Sequence, residues 1–247
     1  MMYEVKNRVC LVTGANRGIG RAIIESFLRH GAVKIYAGVR SLDKADELRQ
    51  SYSGKITPIR IDYTLPETIE NAALTATDVE VVVSNAGILN KAKVTDANVI
   101  DAFAEELTVN VYGLLRMARA FAPVLKANGG GAFVQLNSIA SLASADEFAT
   151  YCASKAAAYS FTQSLRRMFA EQQTALLSVH PGPIETDMSA KAGFAGAGEA
   201  PGVVAEAIVE SLQEGEFLLF PDQLAKLFAG AYERFAQDII EADELNA

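Results

Sequence analysis

Thr13-Gly14-Ala15-Asn16-Arg17-Gly18-Ile19-Gly20 joins a short apolar run at 8–12 to a stretch of helical periodicity at 19–29. A chain that passes from a buried strand into a helix within a few residues needs glycine where it bends and where backbones approach closely. Gly14 permits the tight turn, Gly18 lets the backbone approach a pyrophosphate, and Gly20 allows close packing of the helix. The helix N-terminus then offers unpaired N–H groups to the anion. After a strand and before a helix, this turn reads as a dinucleotide-binding motif.

Outward from it, strand-length apolar runs recur at 8–12, 33–39, 56–61, 79–84, 132–137, 176–180 and 216–220. Helical periodicity fills intervals between them, as at 19–29, 42–50 and 101–126. The runs are short, β-branched and almost continuously apolar, as burial on both faces of a parallel sheet requires. Alternation of strand and helix predicts an α/β fold, a doubly wound parallel seven-stranded sheet with helices on both faces, the Rossmann fold. The 247 residues, half of them hydrophobic and without repeat or linker, suit one domain over 1–247. A terminal helix is expected at about 222–240. Residues 189–200, with three glycines among small side chains, follow the sixth strand at the sheet edge where ligands bind. They read as a substrate lid, or more plainly as a flexible connection.

A formal net charge of −8 argues against a nucleic-acid groove and against docking on an anionic membrane. Cys10 and Cys152 form neither a disulfide framework nor a metal cluster, and no metal site is expected. His30 and His180 leave few parts for a zinc site or a Ser-His-Asp triad. His30, before Gly31, reads as a helix cap, and His180 as a packing or loop residue before Pro181-Gly182. The N-terminus lacks the pattern of a signal peptide, and no stretch approaches the ~20 apolar residues of a membrane helix. A cytoplasmic protein is expected.

Tyr151 and Lys155, four residues apart, share one helix face. Moving a phenol from a pKa near ~10 to ~7 requires roughly 4 kcal/mol of differential stabilisation. A unit charge about 4 Å away at an effective dielectric of about 20 supplies roughly that much. Lys155 is therefore expected to hold Tyr151 acidic enough to exchange protons near neutrality, as interconversion of a hydroxyl and a carbonyl needs.

Thr13-Gly14, Gly18-Ile19-Gly20, Asn85-Ala86-Gly87, Ser138, Tyr151, Lys155 and Pro181-Gly182 occur in an order that resembles the short-chain dehydrogenase/reductase superfamily. The chain is similar to its single-domain branch of roughly 250 residues, over about residues 8–220. The resemblance implies a catalytic set of Asn110, Ser138, Tyr151 and Lys155. Tyr151 would be general acid–base, and Ser138 would bond the same substrate oxygen. Lys155 would lower the tyrosine pKa and hold the nicotinamide ribose, and Asn110 would hold a water in a proton relay. The residues themselves leave another reading for Asn110, an amide bonded to its own helix backbone. Ser141 is a nearby serine whose offset from Tyr151 does not match.

For the cofactor, the resemblance places the turn residues Gly14, Asn16, Arg17, Gly18, Ile19 and Gly20 beside the dinucleotide. Asp62 would contact the adenine amino group, or serve only as a turn carboxylate before Pro66. Asn85, Ala86 and Gly87 would lie beside the adenosine ribose, with Asn85 bracing the sheet. Pro181, Gly182, Ile184 and Thr186 would anchor the nicotinamide carboxamide, although a rigid turn also explains the prolines. The second strand ends at Val39-Arg40, where NAD-preferring folds carry an acid. Two guanidinium groups, Arg17 and Arg40, with no nearby carboxylate, suit a 2′-phosphate and hence NADP(H).

Segments expected to wall the substrate site contribute Ile88, Ile139, Ala140, Leu142, Ile184, Met188 and Phe194. A small-molecule hydrophobic ketone or aldehyde, or the matching alcohol, follows. Lys91, Lys93, Asp146 and Glu147 give a rim of mixed sign. The alternatives are a 3-oxoacyl-acyl-carrier-protein reductase and a catalytically silent NADP(H)-binding sensor. The segment after 217 departs from the glycine-rich ending usual in acyl-carrier reductases. The resemblance also implies a homodimer or homotetramer built on helices at about 101–126 and 151–170.

Overall fold

Seven parallel strands form one sheet in the order β3-β2-β1-β4-β5-β6-β7. They are β1 (Val9–Thr13), β2 (Lys34–Val39), β3 (Ile56–Arg60), β4 (Val81–Ser84), β5 (Gly131–Leu136), β6 (Thr174–Val179) and β7 (Leu218–Leu219). This computed structural model describes residues 1–52, 54–235 and 237. The helices are α1 (Gly18–Arg29), α2 (Asp46–Ser51), α3 (Pro66–Thr75), α4 (Val99–Glu106), α5 (Gly113–Ala127), α6 (Ala149–Glu171), α7 (Asp187–Ala192), α8 (Pro201–Glu214) and α9 (Gln223–Phe235).

Alternation along each strand feeds two cores. Val12, Val83 and Val134 point to one face, where Ile23 and Phe27 of α1 and Ile208 of α8 cover them. Leu11, Val82 and Phe133 point to the other, against Leu114 and Phe121 of α5 and Phe169 of α6. The Rossmann expectation is met, strand by strand. The chain winds outward from β1 to β3, then returns to place β4 on the other side of β1. That reversal opens a crevice at the carboxyl ends of β1 and β4, where the turn 13–20 and Asn85-Ala86-Gly87 lie.

Several boundaries differ from the sequence reading. β7 is confined to two residues, which shortens an edge of the sheet. The periodic stretch at 42–50 divides into a 3₁₀ turn, Leu42–Ala45, and α2. The stretch at 101–126 is helical, but Leu107–Tyr112 winds as a π-helix between α4 and α5. α9 begins within one residue of the expected start. Residues 236 and 238–240 of the expected terminal helix lie outside the described residues. His30 does end α1, and its ring also bonds Glu206 of α8 at 2.8 Å.

Candidate active site

The turn after β1 has the conformation its glycines allow. Gly14 and Gly18 have φ of +64° and +53°, in the left-handed region. A Cβ on Gly20 would lie 2.3 Å from the Gly14 carbonyl oxygen and 2.7 Å from Asn85 Nδ2, so only glycine seats the helix on its own turn. No side chain caps the N-terminus of α1, and its first turn contains no acid. The first N–H bonded within this helix is that of Arg21, to Arg17 O at 3.2 Å. The preceding N–H groups, among them those of Gly18, Ile19 and Gly20, have no acceptor within the helix, the arrangement that suits an anion.

Thr13 organises the crevice, a role the sequence reading did not assign. Its Oγ1 accepts the N–H groups of Asn85 and Ala86 at 2.9 and 3.1 Å, and lies 2.9 Å from Tyr63 Oη. Asn85 Nδ2 donates to Thr13 O at 2.8 Å, tying the ends of β1 and β4 together. Asn85 does brace the sheet. Asp62 Oδ1 accepts the backbone N–H and the hydroxyl of Thr64, at 2.9 and 2.7 Å, the turn arrangement considered above.

Two expectations about charge are corrected. Arg17 is not free of carboxylates: Asp187, 170 positions away and in the first turn of α7, pairs with it at 2.8 Å. Arg40 is exposed at the carboxyl end of β2, after a buried Val39. The second correction concerns Tyr151. Burial pushes its phenol up to about 12, with a hydrogen bond to Ser138 acting in the opposite sense and Cys152 and Glu106 adding to the rise. Lys155 does not offset this. Its Nζ stands 5.8 Å from the centroid of the Tyr151 ring and donates to Leu136 O at 2.8 Å. Burial depresses Lys155 itself to about 8. Desolvation outweighs the pairwise attraction that the helix spacing suggested.

The four catalytic candidates nonetheless converge. Ser138, two residues beyond β5, donates to Pro181 O at 3.3 Å, and its hydroxyl is near enough to the Tyr151 phenol to favour its ionised form. Gly87 sits between Asn110 and Lys155: a Cβ there would lie 3.1 Å from Asn110 Oδ1 and 3.8 Å from Lys155 Nζ. Asn110 is buried in the π-helical segment and makes no bond to its own helix. Its Oδ1 accepts the Ile88 N–H at 2.9 Å, and its Nδ2 donates to Ile88 O at 3.0 Å and Ser154 Oγ at 2.9 Å. A π-turn alters the direction of a side chain relative to regular helix, and such turns recur at functional sites.

Further groups complete the shell. Glu106, fully buried one turn before Asn110, accepts the Asn90 N–H at 2.7 Å, and burial raises its carboxyl pKa. Its burial was illegible in sequence, where it resembles the exposed Glu105 beside it. Ser141 donates to Ser138 O at 2.5 Å and lies 2.9 Å from His180 Nδ1. His180 is buried between Tyr159 and Phe220, and burial pushes it down to about 3, leaving a neutral imidazole. Packing is its role, as expected.

On the nicotinamide side, Ile184 is buried and pairs its backbone with Glu199. Thr186 caps α7, with Oγ1 accepting the Ser189 N–H at 3.3 Å, and its Cγ2 faces Gly18 across the crevice. Gly182 N–H bonds a carboxylate of Asp222 at 2.7 Å. Beside Tyr151 an apolar cluster gathers Leu89, Ala140, Phe148, Cys152 and Ala192. Phe194 meets Phe148 with ring centroids 5.6 Å apart and planes tilted by 40°, which brings one residue of the segment at 189–200 to this cluster. At the rim Lys91 and Glu147 pair at 2.8 Å, and Lys93 and Asp146 are exposed beside them. Among the described residues no group of three or more His, Cys, Asp or Glu side chains is placed to hold a metal ion.

Comparison with known proteins agrees with this geometry. The short chain dehydrogenase family matches residues 8–194. A relative from Schizosaccharomyces pombe, an NADP-dependent 3-hydroxy acid dehydrogenase, is 30% identical over 197 residues, 76% of each chain. A short chain dehydrogenase from Burkholderia cenocepacia, solved in complex with NADP, superposes with a TM-score of 0.87 at 33% identity, covering 96% of this chain and 97% of that one. A Burkholderia phymatum relative in complex with NAD, 22% identical, shares the fold with a TM-score of 0.82, covering 97% and 96%. The family match over residues 8–194, together with a relative 30% identical across 76% of each chain, makes the protein a member of the short-chain dehydrogenase/reductase superfamily of oxidoreductases.

Proposed function

We propose that the protein is an NADP(H)-dependent oxidoreductase that interconverts a hydrophobic ketone or aldehyde with its alcohol. The observation that carries this is the meeting of Ser138, Tyr151, Lys155 and Asn110 at one end of the crevice that the glycine turn opens. An uncapped, acid-free helix N-terminus and glycines that leave no room for a Cβ fit a pyrophosphate. Gly14, Asn16, Arg17, Gly18, Ile19 and Gly20 would hold it, with Asp62, Asn85, Ala86 and Gly87 on the adenosine side. Pro181, Gly182, Ile184 and Thr186 would hold the carboxamide. Bound there, the nicotinamide supplies a hydride to the carbonyl carbon, or accepts one from the alcohol.

Tyr151 delivers its hydroxyl proton to the carbonyl oxygen in reduction and recovers it in oxidation. A phenol held near 12 is protonated at neutral pH, as a proton donor must be. Ser138 donates to the same oxygen and orients it. Lys155, with a pKa of about 8, is a cation at pH 7 and steadies the phenolate left by proton transfer. Lys155 would also bond the cofactor's ribose, and Asn110 holds the strand extension at Ile88.

NADP(H) is favoured over NAD(H) by Arg40 and by Val39 where an acid would select the unphosphorylated ribose, with Arg17, paired with Asp187 in this structure, as the second cation. The NADP-dependent yeast relative points the same way. The apolar cluster around Tyr151 supports a hydrophobic substrate, and at the rim Glu147 offsets the charge of Lys91. No helix among the described residues is long and apolar enough to cross a membrane, and a cytoplasmic location is part of the proposal. So is a homodimer or homotetramer.

The test is a panel of ketones, aldehydes and alcohols assayed with both cofactors. Turnover of hydrophobic carbonyls with NADPH well above NADH is expected. Preference for NADH would refute the arginine assignment. Activity confined to acyl-carrier thioesters, or tight NADPH binding with no turnover, would refute the carbonyl reading in favour of the two alternatives.

A further inference from the structure

The C-terminal helix is joined to the candidate site through one buried carboxylate. Asp222 is 2% exposed, and each of its oxygens accepts a backbone N–H. Oδ1 accepts that of Ala225 at 3.0 Å, and Oδ2 that of Gly182 at 2.7 Å. The first bond is ordinary helix capping, since Ala225 is the third residue of α9. Capping does not account for the second, which reaches back 40 positions to the turn after β6. That turn fits the carboxylate closely: a Cβ on Gly182 would fall 2.7 Å from Asp222 Oδ1.

The connection continues inward. Pro181, bonded covalently to Gly182, presents its carbonyl to the Ser138 hydroxyl at 3.3 Å and to the Ile139 N–H at 3.0 Å. The Ser138 hydroxyl in turn lies beside the Tyr151 phenol. A second tie runs in parallel, for Glu199 Oε1 accepts the Gln223 N–H at 2.7 Å while its backbone carbonyl accepts the Glu185 N–H at 2.8 Å. The start of α9 is thus fastened to both ends of the segment 182–185.

We propose that Asp222 is a positioning residue, fixing the Pro181–Gly182 turn through Gly182 N–H and thereby setting the nicotinamide end of the site against Ser138 and Tyr151. The role rests on the dinucleotide-oxidoreductase reading above. It gives α9 a function in the site although the helix lies beyond the motifs that carry the family resemblance.

Hydrogen exchange on the ligand-free full chain tests the tie directly. In Asp222→Ala, peptides over 180–186 and over 222–226 should both exchange about tenfold faster, the loss of a charge-assisted hydrogen bond. Asp222→Asn, which retains one acceptor, should fall between, and it serves if the alanine variant does not fold. Faster exchange confined to 222–226 would reduce Asp222 to a helix cap and overturn the proposal.

Binding gives the second readout. The Asn variant should bind NADPH within about threefold of the parent, a change of under 1 kcal/mol. The emission of the bound nicotinamide should differ, and the primary deuterium isotope effect on kcat from 4-deuterated NADPH should rise. Loss of folded protein alone would lower activity without moving either. A parent that shows no NADPH response refutes the cofactor reading, and the positioning role falls with it. A parent that binds normally, with emission and isotope effect unchanged in the variant, refutes the role alone.

Discussion

Burial dominates the chemistry of single residues here, and Lys155 shows it most plainly. Its ordinary value of 10.5 falls to about 8 because the ammonium is removed from water without a carboxylate partner. Between about pH 8 and 10.5 the unfolded chain binds the proton that the folded chain has released, so stability rises with pH across that window. At pH 7 both states are protonated, and the folded protein bears the full cost of about 3 kcal/mol. Lys155→Met should therefore stabilise the ligand-free protein by about 2 kcal/mol at pH 7, after allowing about 1 kcal/mol for the lost bond to Leu136 O. The advantage should vanish by about pH 10, and urea denaturation at the two pH values measures it. The same variant should lose turnover, as expected where function is retained against stability. Tyr151→Phe makes the complementary test. The proposed acid–base role requires turnover to fall by at least about a hundredfold, with NADPH affinity nearly intact; comparable activity in that variant would reject the assignment. Position on the helix revealed that Tyr151 and Lys155 share a face, but not the sign of the tyrosine shift. Desolvation and the Leu136 carbonyl come from the fold, not the spacing.

Elements were legible where one pattern sufficed. Short apolar runs located all seven strands; β1, β2, β4, β5 and β6 are buried along nearly their whole length, so no polar alternation obscures them, whereas β3 alternates, with Thr57 and Arg60 exposed. The π-helical turn was not legible, because residues 101–126 carry an ordinary helical pattern. What accompanies it is tertiary: Asn110 exchanges two hydrogen bonds with Ile88, 22 positions earlier. The Arg17–Asp187 pair and the Asp222–Gly182 bond escaped for the same reason, being products of chain return. Another such contact is testable at the start of α5. A Cβ on Gly113 would lie 2.1 Å from Tyr63 Cδ2, and Tyr63 is itself fixed by Thr13, Ser84 and the hydrogen bond from Arg116 to its carbonyl. The ring has no free direction in which to yield. Gly113→Ala should destabilise by about 1–3 kcal/mol, the usual cost of overpacking. A lower urea midpoint with unchanged slope is the expected result, and an unchanged midpoint would show that the Tyr63 ring gives way.

At the scale of the molecule, net charge and exposed apolar surface oppose one another. A formal charge of −8 disfavours association of identical chains, more so at low salt. Yet Tyr112, Phe161 and Met168 are 47%, 41% and 62% exposed, on α6 and the π-helical segment that packs beside it. These are the surfaces on which the proposed dimer or tetramer would form, and burying such side chains on association is worth roughly 1.5–3 kcal/mol each when complete. Aromatic residues and methionine are enriched in interfaces of this kind, and lysine and glutamate depleted. Sedimentation at micromolar concentration should therefore give a dimer or tetramer, strengthened by added salt as repulsion is screened. Phe161→Glu adds a charge to the centre of the surface without touching the sheet or the crevice. It should shift the distribution toward monomer, most strongly at low salt, with the far-ultraviolet circular dichroism unchanged. A parent that sediments as a monomer would remove the assembly from the proposal. An associated parent left intact by Phe161→Glu would place its interface away from α6.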